Sequence, residues 1–290
     1  MLGVLLIDKP LGCTSHDVVN DLRHRLHTKR VGHAGTLDPL ATGLLVAAVG
    51  PATRFLQYLP LEPKEYVAEI TFGRTTTTYD REGDIVSEMD VPSDLLRVIS
   101  EKLPQFLGLI PQIPPMYSAV KVGGKALYKY ARAGTDVARE PRNVHIGAFD
   151  VEPIDGETIR ARIVCSGGTY IRTLAHDLGQ AVGCGAYLSA LRRTRVGRFE
   201  VEQAHALDAI EPSLLLPLSE ALKPMPMLVT SEQQTQNVRE GRQIGLLEML
   251  DSPLVALIEP GNGVFSVARV HGNLLQPECV IPSEAMNGTL

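Results

Sequence analysis

The order of strand-like and helix-like segments most constrains the fold of this chain. Apolar side chains occupy every second position in residues 66–72 and 159–165, which predicts two half-buried strands. Residues 171–182 instead place apolar side chains at the spacing of a helix face. Because these segments do not follow a strict strand–helix alternation, we expect an α+β fold in which helices flank a mixed sheet. Further predicted elements are strands at 3–7 and 43–50, and helices beginning near Thr14-Ser15, Pro51, Ser93-Asp94 and Leu127.

A change in composition near the proline-rich residues 222–226 divides the chain into two predicted domains. Residues 1–222 are long enough for one large domain, and residues 223–290 fit a small β-rich domain. The later part contains one predicted helix and three predicted short strands, at 232–240, 254–258, 264–270 and 279–281.

Composition excludes several classes of protein. With 290 residues, of which 44% are hydrophobic and 21% charged, the chain can bury a core and is not a disordered chain. No apolar run approaches the roughly 18 residues of a membrane-spanning helix, and the first residues lack the features of a signal peptide. The four scattered cysteines fit reduced thiols. We therefore expect a cytoplasmic protein with no membrane partner.

Charge is unevenly distributed along this acidic chain, whose net charge is −5. Residues 114–142 contain six basic and two acidic side chains, and residues 160–198 contain seven arginines against Asp177 alone. Two basic stretches of this kind can form a local anion-binding face. Solvated faces are the alternative interpretation, and the charge pattern alone favours it.

Several common catalytic and cofactor motifs are absent from the sequence. There is no Gly-x-Ser-x-Gly, no phosphate-binding P-loop and no complete dinucleotide-binding glycine motif. His24 and His27 could share a helix face, but no second ligand pair stands at zinc spacing. We expect neither a metal nor a cofactor.

The most informative segment is Gly32-His33-Ala34-Gly35-Thr36-Leu37-Asp38-Pro39-Leu40-Ala41-Thr42-Gly43. It is a glycine-rich loop between two apolar runs, and it holds one histidine and one acid. Asp38 could be a catalytic carboxylate. Alternatively it could cap a helix whose first residue is Pro39, and composition alone favours this second interpretation.

This segment strongly resembles the Gly-His-x-Gly-x-Leu-Asp-Pro-x-Ala-Thr-Gly motif of the TruB family of tRNA pseudouridine synthases. Five further motifs resemble the family in the same order along the chain, at residues 9–15, 64–66, 114–128, 165–173 and 187–193. The resemblance implies a mixed, largely antiparallel sheet with flanking helices, the pseudouridine synthase fold. It also implies an RNA-gripping insertion near 112–142 and a small PUA-like RNA-binding domain at 223–290.

The resemblance implies that the protein converts a uridine in the T-loop of tRNA, conventionally position 55, to pseudouridine. This isomerisation is redox-neutral and needs no cofactor. Asp38 is the implied nucleophile, attacking either the sugar C1′ or the base C6. Arg172 is implied to pair with Asp38, and Tyr170 to lie near the base with a role in proton transfer at C5.

The target uridine lies in a folded loop, so the enzyme must extrude it. Tyr66 is the implied ring on which the extruded base stacks, although a core tyrosine is the default for such a strand position. The other implied substrate-binding residues are His33 beside the flipped nucleotide, Asp80 at the uracil edge or ordering its loop, Leu191 as an apolar wall, and Lys9 as a support for the catalytic loop.

Basic residues of both stretches are implied to contact the RNA backbone. They are Lys121, Lys125, Lys129 and Arg132 on the insertion, with Arg192 and Arg193 near the substrate. One departure from the family pattern is Thr77, where relatives often carry an acid. That replacement puts in doubt any contact made by this side chain.

Three hypotheses for function follow. The first is a stand-alone T-loop pseudouridine synthase, acting as a monomer without an obligatory protein partner. The second is a tRNA-binding folding chaperone whose chemistry is secondary or lost, although mere binding would not require Asp38, Tyr66, Tyr170 and Arg172 together. The third is a guide-RNA-dependent synthase, which would need protein partners. The separate insertion and the absence of a long basic tail favour the first.

Overall fold

The computed structural model describes residues 1–246 and 248–286. Its strands are numbered in chain order and have the following bounds: β1 Gly3–Lys9, β2 Val31–Ala34, β3 Ala41–Val49, β4 Lys64–Phe72, β5 Arg74–Thr76, β6 Ile85–Glu88, β7 Gly108–Gln112, β8 Lys121–Val122, β9 Lys125–Ala126, β10 Arg142–Pro153, β11 Thr158–Cys165, β12 Ala186–Val196, β13 Phe199–Glu200, β14 His205–Ala206, β15 Met227–Val229, β16 Ile244–Gly245, β17 Leu254–Glu259, β18 Gly263–His271 and β19 Leu274–Val280.

The α-helices, numbered in the same way, are α1 Ser15–Arg25, α2 Leu95–Lys102, α3 Leu127–Ala131, α4 Ile171–Val182, α5 Leu218–Ala221, α6 Glu232–Arg239 and α7 Ser283–Met286. Short 3₁₀ helices lie at Gly50–Tyr58, Leu103–Phe106, Val201–Gln203, Leu207–Ala209 and Pro212–Leu214. Within the described residues, no helix is long and apolar enough to cross a membrane.

The chain forms two compact units that interleave along the sequence. The first unit contains Met1–Leu37, Leu45–Leu61 and the described residues from Gln203 onward, and the second contains Asp38–Leu44 and Glu62–Glu202. Strands β15–β19 all lie after residue 222. The domain boundary between residues 222 and 223 stays a prediction.

The second unit is built on a mixed sheet with the strand order β3-β12-β4-β11-β10-β7. Strand β12 runs parallel to the start of β3, and the other neighbours are antiparallel. Helix α4 packs against β12 and α2. The α+β fold with a mixed, largely antiparallel sheet is therefore confirmed.

Local periodicity explains the central elements of this sheet. Strand β4 buries Tyr66, Ala68, Ile70 and Phe72 on one face, as the alternation predicts. Helix α4 has the predicted bounds and ends at Gly183, whose φ of 96° suits glycine. Strands β7 and β10 are not among the predicted elements. The pairing of β10 shifts between Ile146 and Ala148, so its apolar alternation is broken there.

The first unit contains a group of strands in the order β14-β1-β3, with β2 also on β3, and a separate five-stranded sheet. Strand β1 pairs in parallel with β14, and β2 pairs antiparallel with the end of β3. Helix α1 begins with a reciprocal capping box between Thr14 and Asp17. Its buried face packs Val18, Val19 and Leu22 into one apolar cluster with β1. The later residues form a sheet of order β15-β17-β18-β19-β16 with a separate apolar core.

Stability should depend on pH through Asp177 on α4. Burial raises the pKa of this carboxyl to about 6, from an ordinary value of 3.8. The folded state therefore binds the proton more tightly than the unfolded state, so the free energy of unfolding falls as pH rises from about 4 to about 6. We expect Asp177→Asn to raise the free energy of unfolding at pH 7.5 by about 1–2 kcal/mol, discounted for partial exposure.

Urea unfolding of both proteins at pH 7.5 and pH 4 measures this effect. The difference should vanish near pH 4, where the wild-type carboxyl is protonated in most folded molecules. Asp251→Asn, at an exposed position, is the control and should leave stability unchanged at both pH values. A wild-type protein at least as stable as Asp177→Asn at pH 7.5 would contradict the assignment.

Candidate active site

Asp38 begins a turn rather than a helix. Its carbonyl oxygen accepts a hydrogen bond from the N–H of Ala41 at 3.0 Å, and strand β3 starts at Ala41. The alternative that Asp38 caps a helix beginning at Pro39 is therefore wrong. Its side chain is 40% exposed, so it can meet a substrate from solvent.

The residue before Asp38 is held by the first turn of α1. Ser15, which is buried, accepts a hydrogen bond from the N–H of Leu37 at 2.8 Å. The Ser15 hydroxyl also lies 3.1 Å from the Leu37 carbonyl oxygen, to which it donates. Because one side chain fixes both backbone groups of Leu37, it restricts the position from which the chain continues to Asp38.

Lys9 and His33 lie in the first unit. Lys9 is fully buried, and its Nζ donates to the carbonyl oxygens of Pro10 at 2.9 Å and Cys13 at 2.7 Å. These bonds shape the loop that leads into α1. His33 is half-buried on β2, where it pairs with Ala47 of β3.

Arg172 brings together the residues around Asp38. Its Nε lies 2.9 Å from Oδ2 of Asp38, and its Nη1 lies 3.3 Å from Oδ2 of Asp80. Two backbone carbonyls complete the set, with Nη1 donating to Thr78 at 3.1 Å and Nη2 to Tyr117 at 2.9 Å. The Arg172 side chain is only 6% exposed. The buried guanidinium is therefore fixed by four acceptors, of which Asp38 is the exposed one.

Asp80 serves as the inner partner of this network. The residue is buried, and its Oδ1 accepts hydrogen bonds from the Thr78 hydroxyl at 2.5 Å and from the N–H of Glu82 at 3.0 Å. Thr77, the departure from the family pattern, accepts a hydrogen bond from the N–H of Asp84 at 3.1 Å. A hydroxyl thus closes the loop that carries Asp80.

Tyr66 and Leu191 lie on neighbouring strands of the same sheet. Leu191 pairs with Ala41 of β3 and is nearly buried. Burial raises the pKa of the Tyr66 hydroxyl, and the charge of Asp38 adds to the rise while Arg193 opposes it. Tyr66 itself is only 7% exposed, as the core-tyrosine interpretation predicts.

Arg193 differs from the other predicted RNA contacts because it is buried. It is 1% exposed, and its Nε donates to the carbonyl oxygen of Leu44 at 2.7 Å. It pairs with Tyr66 across β12 and β4. A buried guanidinium cannot reach an RNA backbone without leaving these partners, so we remove Arg193 from the predicted backbone contacts. Arg192 is half-buried beside Thr42.

The insertion places its four predicted cations at the surface. Lys121, Lys125, Lys129 and Arg132 are all exposed. The Nζ of Lys125 lies 4.3 Å from the centre of the Tyr130 ring, and the Arg132 guanidinium lies 5.5 Å from that of Tyr128. These cation–π contacts hold two of the charges without neutralising them.

The second basic stretch is largely neutralised by acids from other strands. Arg162 pairs with Glu65 at 2.6 Å and Asp150 at 3.1 Å, and Arg195 also pairs with Glu65 at 3.3 Å. Arg160 pairs with Glu152 at 3.1 Å and with Glu69 at 3.8 Å. Counting charges along the sequence could not reveal these partners, because they lie on adjacent strands.

Sequence reasoning did not predict the acceptor roles of Thr78 and Tyr117. Both act through backbone carbonyls, which every residue type carries, so no residue-type signal could have identified them. It also did not predict Gln112, whose side chain binds the backbone of Tyr170. As for metals, no group of three potential ligand side chains comes together in the described parts of the chain.

Two family models match the chain. They are the TruB family pseudouridylate synthase (N terminal domain) over residues 23–171 and the tRNA pseudouridylate synthase B C-terminal domain over residues 172–230. A curated protein from Opitutus terrae named tRNA pseudouridine synthase B is 48% identical, covering 76% of this chain and 90% of the relative. A relative of the same name from Thiobacillus denitrificans is 41% identical, covering 96% of this chain and 95% of the relative.

Solved structures share the same fold. One chain from a structure titled an H/ACA RNP bound to a substrate RNA containing 2′-deoxyuridine has a TM-score of 0.70 and 26% identity, covering 99% of this chain and 87% of that one. A chain of a Cbf5-Nop10-Gar1 complex has a TM-score of 0.69 and 28% identity, covering 98% and 86% respectively. Fold and family models together define the class as pseudouridine synthase, an isomerase. The chain belongs to the TruB family of tRNA pseudouridine synthases.

The buried ion pair should be essential for stability as well as for the site. Arg172→Met leaves the Asp80 carboxylate buried without its cation, which we expect to lower the free energy of unfolding by about 3–5 kcal/mol. Asp80→Asn in the same chain removes the uncompensated charge, so the double variant should recover part of this loss. Urea unfolding at pH 7 measures both. If the free energy of unfolding of Arg172→Met lay within about 1 kcal/mol of the wild-type value, as for ordinary surface substitutions, the prediction would be contradicted.

Proposed function

We propose that this enzyme isomerises a uridine in the T-loop of tRNA, at position 55, with Asp38 as the nucleophile. The observation that carries the proposal is the pairing of an exposed Asp38 carboxylate with a buried Arg172 guanidinium at 2.9 Å. Arg172 is held in place by Asp80 and two carbonyls, so Asp38 is positioned before substrate arrives. Relatives named tRNA pseudouridine synthase B support tRNA as the substrate.

The reaction exchanges one glycosidic bond for another. The bond from uracil N1 to the sugar C1′ breaks, the base turns, and C5 bonds to C1′ while the hydrogen on C5 leaves as a proton. N1 ends with a proton, so atoms and charge balance without an oxidant or reductant. Attack of the Asp38 carboxylate on either C1′ or C6 would give an enzyme-bound intermediate that allows the base to turn.

The surrounding side chains fit roles around an extruded base. Tyr66, which is 7% exposed on β4, is the proposed ring on which the base stacks. Such stacking is worth roughly 1–3 kcal/mol per base in single-strand binding. Leu191 provides an apolar wall beside the start of β3. Tyr170, at the N-terminus of α4 two residues before Arg172, is the proposed group for proton transfer at C5. The contacts of Asp80 favour ordering of the loop over contact with the uracil edge.

The remaining assignments concern RNA contacts and supports. We propose that Lys121, Lys125, Lys129 and Arg132 bind the phosphates of the T-arm, since all four are exposed. Arg192, which is half-buried, is also proposed to contact the RNA backbone. His33 is proposed to steady the flipped nucleotide, and Lys9 to support the loop before α1. The small β-rich region after residue 222 is proposed as a PUA-like RNA-binding domain, although it is acidic.

The chaperone alternative is less favoured, because RNA binding alone would not require a nucleophile-type carboxylate on a buried arginine. The guide-RNA alternative is raised again by the solved structures, because one similar chain belongs to an H/ACA RNP and another to a Cbf5-Nop10-Gar1 complex. The relatives named tRNA pseudouridine synthase B are more similar in sequence and favour an enzyme that acts alone. A monomer located in the cytoplasm remains our expectation.

Tritium release from unmodified tRNA labelled with [5-³H]uridine tests the reaction directly, because the C5 hydrogen must leave. We expect release by purified wild-type protein alone and no detectable release by Asp38→Asn. Filter binding provides the control, since Asp38→Asn should keep tRNA affinity within about twofold. Equal release by both proteins would rule out Asp38 as the nucleophile. Release only after protein partners are added would favour the guide-RNA alternative.

The salt dependence of tRNA binding tests whether the lysines of the insertion contact phosphates. Each lost phosphate contact should lower the slope of log affinity against log salt by about 0.7–0.9. We therefore expect Lys121→Gln combined with Lys129→Gln to weaken binding and to reduce this slope by about 1.5. Arg160→Gln is the matched control, because that cation is already paired with Glu69 and Glu152. An unchanged slope in the double variant would place the RNA elsewhere.

A further inference from the structure

We propose that residues 112–117 form a brace that sets the position of Tyr170 and Arg172, with Gln112 as its positioning residue. The inference rests on the proposed function, because it concerns the geometry of that reaction. Gln112 touches the backbone next to the site and none of the reacting atoms. It therefore acts through Tyr170 and Arg172.

The first attachment of the brace is a two-point hydrogen bond. Gln112, the last residue of β7, is 3% exposed. Its Oε1 accepts from the N–H of Tyr170 at 2.8 Å, and its Nε2 donates to the carbonyl oxygen of Tyr170 at 3.1 Å. One amide side chain thus pairs with both backbone groups of a single residue. Because both bonds need the same rotamer, the contact leaves Tyr170 little freedom to shift.

The attachment matters because Tyr170 starts helix α4. Its carbonyl oxygen also accepts the N–H of Leu174 at 3.1 Å, the first bond of the helix. Tyr170 makes no side-chain capping bond of its own. Gln112 on β7 therefore binds the backbone N–H of the N-cap residue, the group that the reciprocal side chain of a capping box binds in other helices. Arg172 is in the first turn of this helix, so fixing Tyr170 also fixes the backbone from which the Arg172 guanidinium extends.

The second attachment lies at the other end of the brace. The carbonyl oxygen of Tyr117 accepts from Nη2 of Arg172 at 2.9 Å. Between the two ends stand Pro114 and Pro115, whose rings fix φ and stiffen the segment. Nη1 of Arg139 donates to the Pro114 carbonyl oxygen at 3.2 Å. This bond ties the far end of the insertion to the brace.

The brace consequently supports two functions at once. It fixes Tyr170 and Arg172 on one side, and the insertion with its exposed cations emerges from it on the other. Removing the Gln112 amide should disturb the first without removing any RNA-binding charge. A misplacement near 1 Å can cost about 100-fold in rate. The expected signature is a loss in kcat with tRNA affinity preserved.

Gln112→Met tests this, because it keeps an unbranched side chain of similar length and removes both hydrogen bonds. Single-turnover tritium release should fall by about 10- to 100-fold. The Kd for tRNA should stay within twofold, and circular dichroism at the assay temperature should show a folded protein. Ser189→Ala is the matched control. It also removes two hydrogen bonds from the sheet of the second unit, to Glu69 and from Thr71, and should keep the wild-type rate.

Gln112→Glu provides a readout that a merely structural role would not give. A protonated carboxyl can accept from the Tyr170 N–H and donate to its carbonyl, as the amide does, whereas the carboxylate repels that carbonyl. Burial raises the pKa of such a carboxyl. The rate of this variant relative to wild type should therefore increase as pH falls from 8 to 5.5, while the Gln112→Met ratio stays flat.

The outcomes separate the brace from the proposed function. Wild-type release in the same assay supports the reaction independently of Gln112. A wild-type rate in Gln112→Met overturns the brace. The brace is also overturned if Ser189→Ala loses as much rate as Gln112→Met. The same holds if a higher Kd for tRNA accounts for all of the rate loss in Gln112→Met. Wild-type protein without release overturns the proposed function and the brace together.

Discussion

The constraint on which the site depends is a guanidinium that is almost fully buried. Arginine cannot lose its proton in a protein, so burial of Arg172 requires acceptors on every side of its fork. Asp80 and two backbone carbonyls meet that need from within, and Asp38 meets it from the solvent side. Asp38 therefore has a defined partner only where the loop around Asp80 and the start of α4 are both in place.

Ion pairing separates the arginines of the sheet from the cations of the insertion. Arg160 and Arg162 lie in pairs with acids on adjacent strands, and Arg193 is buried beside Tyr66. Lys121, Lys125 and Lys129 of the insertion are exposed. An acidic protein can thus present a local cationic surface on the insertion, while the arginines that dominate the charge count along the sequence are paired or buried in the sheet.

Elements with strong local periodicity could be predicted from the sequence. Strand β4 and helix α4 bury the residues that their spacing indicates, because neighbouring structure does not interrupt either pattern. Strand β10 was not predictable in the same way, since a bulge near Gly147 moves its apolar residues out of alternation. The turn after Asp38 was ambiguous, because an aspartate before a proline suits both a helix cap and a turn.

The sequence by itself determined the family, the candidate nucleophile Asp38 and its partner Arg172, because these depend on which side chains occur in which order. The tertiary structure decided which acceptors surround Arg172, which cations stay exposed, and that Gln112 holds Tyr170. The physical reason is that backbone carbonyls are chemically alike at every position, and that burial depends on which distant strands become neighbours. The residue types therefore identify the reactive groups, whereas the pairing of distant strands determines where those groups lie.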